Sequence, residues 1–116
     1  MTIEHTDVID FISTNKDRNE VKLTISDHYD WGNSDSHLFI LQEKINTYIN
    51  FIESGELLDA YAEAKNLTPV INIIGRYPLN QDASDFLEKV NVIVKSIGIE
   101  VRFSLVEEKE QNNVLR

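Results

Sequence analysis

The sequence contains no cysteine, which excludes a disulfide framework, a zinc knuckle, an iron–sulfur site and a thiol nucleophile. Basic residues are scarce too: 11 lysines and arginines stand against 20 aspartates and glutamates, a net charge of −9 with histidines neutral. Binding a phosphate backbone needs a basic stripe that displaces condensed counterions, so nucleic acid is not an expected partner. Long apolar runs are also missing, and no stretch approaches the roughly 20 apolar residues of a spanning helix. The N-terminal MTIEHTDVID lacks the basic start and apolar run of a secretory signal. The cytoplasm is therefore the expected compartment, and a membrane is not an expected partner. There is no G-x-G-x-x-G, no P-loop lysine and no G-x-S-x-G elbow, and no cofactor is expected.

What is present suits one domain. A chain of 116 residues, 41% hydrophobic and 27% charged, buries roughly two-thirds of its unfolded surface and needs no crosslink to do so. Residues 7–13 (DVIDFIS) and 20–27 (EVKLTISD) alternate at period two and flank a polar stretch of turn formers, Thr14–Asn19, which reads as an antiparallel hairpin. Leu38, Leu41, Ile45, Tyr48, Ile49 and Ile52 recur at helical spacing, predicting a helix over 35–53 that stops at Gly55. Segment 56–66 fits a short helix or an ordered loop. Residues 70–77 (VINIIGRY) lie between two prolines and are rich in β-branched side chains, as in a strand. Gly75 within it implies a bulge or close approach by a packed helix. Asn80 is a candidate N-cap for a helix over 81–97, and 99–105 alternates as a last strand. The tail from 106 to 116 is expected to fray.

The order is therefore ββαβαβ. The expected architecture is an α+β domain over 1–105: a four-stranded mixed sheet with two helices on one face. The expected core is Phe11, Leu23, Ile25, Leu41, Ile45, Ile49, Ile73, Phe86, Val90 and Phe103.

The densest cluster of chemically capable side chains is Asp27-His28-Tyr29-Asp30-Trp31, where a strand runs into a loop. Asp27, His28 and Asp30, with His37 or His5, offer oxygen and nitrogen ligands for a divalent metal and a hydrolase-like site. The competing reading is structural: the aspartates make Asx turns and Trp31 covers the open end of the core. Glu43, Lys44, Asn46, Thr47 and Asn50 fall mostly on the wet side of the long helix, and Phe39, Tyr48 and Phe51 are expected in packing. Asp10 is expected to pair across the hairpin with Lys22. Arg76 and Arg102 are candidate anion contacts.

Three stretches, Thr6–Ser13, Leu23–Trp31 and Leu41–Leu57, together resemble a family of small bacterial proteins known as a domain of unknown function. The resemblance spans about residues 3–105 and brings no catalytic or ligand-binding residue with it. It implies a bacterial origin and a cytoplasmic location. Relatives tend to carry a proline where this chain has Ala62, so the conformation of 56–66 does not transfer from them.

Two classes of function follow. With no catalytic arrangement recognised, the leading expectation is a non-enzymatic interaction or regulatory module of the immunity type. Residues 1–58 hold 11 acids and 4 bases, so the acidity suited to a basic partner belongs mainly to the first half. The alternative is the metal-assisted site at Asp27, His28 and Asp30. The open sheet face is the expected surface for a homodimer or a docked protein, through Val8, Asp10, Ile12, Lys22 and Arg102.

Overall fold

In a computed structural model, which describes residues 3–106, the elements are β1 (Phe11–Asn15), β2 (Glu20–Asp27), α1 (Ser34–Glu53), α2 (Glu56–Ala60), a 3-10 turn (Ala62–Ala64), β3 (Thr68–Gly75), α3 (Gln81–Lys95) and β4 (Glu100–Leu105). The tail expected to fray lies, apart from Val106, outside the described residues. The strands stand in the order β1-β2-β3-β4, with β1 antiparallel to β2 and the other pairs parallel. Both strand–helix–strand units advance one place in the same direction, and right-handed crossovers of that kind put their helices on one face. This is the mixed-sheet α+β architecture the periodicities imply.

The core lies between that face and the helices. Val21, Leu23 and Ile25 of β2, Ile71 and Ile73 of β3 and Val101 of β4 meet Leu41, Ile45 and Tyr48 of α1 and Leu87 and Val94 of α3. The Asn80 side chain caps α3 by accepting from the Ala83 amide at 2.8 Å. On the same helix the Asn91 amide both donates to the Val101 carbonyl and accepts from its N–H, tying α3 to β4. Segment 56–66 resolves into α2 and the 3-10 turn, entered through Gly55 at φ +92°, a conformation that costs glycine little. Among the described residues no helix is long and apolar enough to cross a membrane.

Two strands differ from expectation. β3 starts two residues early and contains Pro69. The Thr68 N–H points towards β2's side, to the Asn19 carbonyl, so Pro69 nitrogen faces the other way, where β4 begins only opposite Val70. No ladder partner is lost by the missing N–H. Gly75 makes room not for a helix but for the Phe103 ring, which would come within 2.6 Å of an added Cβ.

The larger correction concerns β1, which begins at Phe11 rather than residue 7. The carbonyls of His5 and Val8 are taken by the Lys44 ammonium, so 7–10 makes a strap across α1 instead of a strand. The register pairs Ile12 with Leu23 and Phe11 with Thr24. Ile12 therefore packs on the core, whereas Phe11, expected inside, is 60% exposed. The open face drawn from the sequence thus loses Val8, Asp10 and Ile12 and keeps Lys22 and Arg102. Ile12→Lys is accordingly expected to destabilise the fold by about 2 kcal/mol, with Phe11→Ser within about 1 kcal/mol of wild type. Urea melts of the two variants check the register, and the reverse ranking would reject it.

Candidate functional site

β2 delivers Asp27 to the end of the sheet, and α1 starts seven residues later, so its first turn stands over that end. His37 lies in that turn on the same helical face as Leu41, Lys44, Ile45 and Tyr48, all buried. Its ring is 3% exposed. Nε2 faces both Asp27 carboxylate oxygens, at 2.8 and 2.7 Å, and Nδ1 faces the Asp30 carbonyl at 2.9 Å. A carboxylate and a carbonyl only accept, so each ring nitrogen of His37 is turned towards an acceptor inside the protein. Trp31 stacks on it with centroids 3.5 Å apart, and Tyr29 meets it edge-on at 5.6 Å.

The other candidates do not converge on this pair. The exposed His28 reaches Glu4 at 3.9 Å and leans on Tyr29. Asp30 turns its Oδ1 back to the Gly32 N–H, and Asp27 Oδ1 also accepts from the Tyr29 N–H. Both aspartates therefore make Asx turns, and the half-buried Trp31 packs against the core. A cleft of about 350 Å³ opens beside them, lined by His28, Tyr29, Asp30, Asn33, His37 and Tyr77. Both His37 nitrogens are already engaged, by Asp27 and by the Asp30 carbonyl. Among the described residues no group of three or more His, Asp or Glu is placed to hold a metal ion.

The second polar centre is built on Lys44 and Thr47, which the sequence places on the wet side of the helix. Lys44 is fully buried. Its ammonium donates to the carbonyls of His5 at 2.6 Å and Val8 at 2.7 Å and to Asp10 Oδ1 at 2.9 Å. Tyr48 donates to the Thr24 carbonyl and accepts from the Asp10 N–H. Burial raises the Tyr48 pKa and keeps its hydroxyl protonated. The half-buried Thr47 adds a bond to the Thr6 carbonyl. Asp10 thus pairs with α1, not with Lys22. The strap from Ile3 to Asp10 is tied to the helix by one cation and two hydroxyls.

A family model described as a family of unknown function (DUF6572) matches residues 1–107. The chain belongs to that family. No curated protein and no solved structure matches it. The match takes in every described residue, so both polar centres lie within the DUF6572 domain.

A third charged group of this DUF6572 chain stands on the open sheet face. From β4, Arg102 reaches Glu20 on β2 through both terminal nitrogens, and its Nε donates to Glu100 at 2.7 Å. The pair crosses β3, where Val70 on that face is fully buried. Arg102 is therefore occupied internally, not presented to an anion, while Arg76 is exposed. The Arg102 hydrogen bonds lower the Glu20 pKa below its ordinary 4.5, against a smaller opposing effect of desolvation, and the same bonds raise that of Arg102. A depressed folded pKa gives stability that is complete above the unfolded value and lost as pH falls through the folded one. Glu20→Gln is expected to reduce stability at neutral pH and flatten its fall below pH 4.5. Circular dichroism against pH checks this; parallel curves for the two proteins would reject it.

Proposed function

We propose that the chain is a non-enzymatic module, of the immunity or regulatory type, whose acidic α1–α2 stretch binds a basic protein. The burial of Lys44 carries this reading. From Ser34 to Ala64 the sequence holds Asp35, Glu43, Glu53, Glu56, Asp59 and Glu63, with Lys44 as its one base. All six acids are exposed while Lys44 is enclosed against Asp10, so the stretch from Ser34 to Ala64 offers carboxylates to solvent and no lysine or arginine. Phe39, expected in packing, is 64% exposed and lies one helical turn from both Asp35 and Glu43. Leu58 and Tyr61 are also exposed in the same stretch. Apolar anchors rimmed by charge of one sign suit a contact surface, and the charge steers a complementary partner towards it. The engagement of both His37 nitrogens supports a structural rather than a reactive role for the most chemically capable cluster.

The test is affinity capture from the source organism with wild type and an Asp35→Lys/Phe39→Ser/Glu43→Lys variant of matched melting temperature. The expected result is a lysine- and arginine-rich protein retained by wild type, released at high salt and missing from the variant. Identical captures, or capture of acidic proteins alone, would overturn the proposal.

A further inference from the structure

The two edges of the sheet are finished differently. At β4 the Val106 N–H bonds to the Gly75 carbonyl of β3, so even-numbered residues turn their backbone groups inward and Val101, Phe103 and Leu105 turn theirs outward. The Asn91 side chain occupies both outward groups of Val101, and Glu100 and Arg102 put charge on the strand. Covered backbone and charged side chains keep a second chain from pairing with an edge.

β1 carries neither protection. The Arg76 N–H bonds to the Asp27 carbonyl and the Thr68 N–H to that of Asn19, so odd-numbered residues of β2 serve β3 and even-numbered ones serve β1. Through the register Phe11↔Thr24 and Ser13↔Lys22, Phe11, Ser13 and Asn15 bond inward. Ile12 and Thr14 therefore aim their N–H and C=O away from the sheet, and among the described residues no strand lies beyond them. The strand FISTN holds no charge and no proline, and its one-to-one register leaves no bulge. A cleft of about 450 Å³ at the same edge is lined by Ile9, Phe11, Ile12, Phe51 and Tyr61 among others, with Phe11 and Tyr61 exposed.

Charge changes sign from one end of this edge to the other. Before β1 stand Glu4, Asp7 and Asp10 with no lysine or arginine; after it the turn carries Lys16 and Arg18 on either side of Asp17. Asp7, Lys16 and Arg18 are exposed, and Arg18 leans towards Glu20 at 3.6 Å.

We infer that β1 pairs antiparallel with β1 of a second copy, about a two-fold axis at Ser13, joining the two four-stranded sheets into one. With the axis there, Ile12 of each copy faces Thr14 of the other, and every outward N–H and C=O of both residues is paired. Lys16 of one copy falls opposite Asp10 of the other, and Asp7 is about 10 Å of chain further on. The acidic strap of each copy thus meets the basic turn of its partner, whereas a parallel pairing would set like charges together. A foreign strand would have to bring that order of charge; a second copy brings it by symmetry. The contact uses none of Asp35, Phe39 and Glu43, so it stands or falls apart from the basic partner proposed above.

Because the chain has no cysteine, a single introduced thiol reports the register. Two copies of position 13 face each other as a non-hydrogen-bonded pair within disulfide reach, whereas two copies of position 15 stand about 13 Å apart along the strands. Mild oxidation of the full chain is therefore expected to crosslink Ser13→Cys and not Asn15→Cys. Sedimentation of wild type is expected to show a concentration-dependent dimer. Ser13→Glu lies beside Lys22 in its own sheet but sets two carboxylates face to face across the axis, so it is expected to be folded and monomeric. Lys16→Glu and Asp7→Lys are each expected to weaken the dimer about three- to tenfold, and an equimolar mixture of the two to recover it. A wild type strictly monomeric at millimolar concentration, a dimer unaffected by Ser13→Glu, or equal crosslinking of the two cysteine variants would overturn the inference. A monomer whose Ser13→Glu variant loses a captured protein would assign the edge to a foreign strand instead.

Discussion

Lys44→Met is expected to lower the melting temperature by about 15 °C or more. The substitution leaves the Asp10 carboxylate buried without its countercharge and strips the His5 and Val8 carbonyls of their donor. Removing one partner of a buried pair destabilises by about 3–5 kcal/mol, and in a domain of this size each kcal/mol shifts the midpoint by about 4–8 °C. Asp10→Leu/Lys44→Met should recover part of the loss, because the uncompensated charge is gone while the two carbonyls remain unsatisfied. Lys89→Met, on an exposed position of α3, is the control and should melt with wild type. Thermal scans of the four proteins decide the matter. A Lys44→Met midpoint within a few degrees of wild type would mean that the ammonium does not hold the strap.

His37 should matter nearly as much, and its two roles separate by substitution. Both His37→Phe and His37→Ala leave the Asp27 carboxylate, 4% exposed, without the ring nitrogen that faces it, so each is expected to lose about 2 kcal/mol or more. Only the alanine variant also removes the ring on which Trp31 stacks. Trp31 is the one tryptophan of the chain, so its emission reports on this corner alone. Red-shifted emission is expected in folded His37→Ala, and not in His37→Phe. Urea melts combined with fluorescence check both statements. Unchanged stability in both variants would show that the Asp27–His37 pair is dispensable to the fold.

Neither residue was hidden by its position. His37, Leu41, Lys44, Ile45 and Tyr48 follow one helical phase, and all five are buried. A histidine and a lysine in the apolar phase are a signal that residue type conceals: the charge of Lys44 points to the wet side, although its neighbours in phase are core residues. The partner is another matter. Asp10 stands 34 residues away from Lys44, and DVIDFIS alternates as well as any true strand. The alternation put Phe11 inside and Ile12 outside; only pairing with β2 and the engagement of the His5 and Val8 carbonyls by Lys44 reverse that. Asp27 and His37 were both among the candidates, but their nearness gave no hint that the bond would consume the ring's second nitrogen as well, through the Asp30 carbonyl.

The division has a physical basis. Element type and order follow from periods of two and 3.6 and from caps such as Asn80 and Gly55, which depend on neighbours within a turn or two of chain. Hence β2, α1, α3 and the ββαβαβ order, with its mixed sheet and single helical layer, are readable from local residues. Strand order and the destinations of Lys44, Tyr48 and Arg102 depend on contacts between residues 24 to 82 positions apart, and where β1 begins depends on the strap that Lys44 holds from 36 and 39 positions away. Such contacts form only when the assembled core brings the segments together and excludes water. At that point an isolated charge becomes unfavourable and takes the nearest partner the fold supplies.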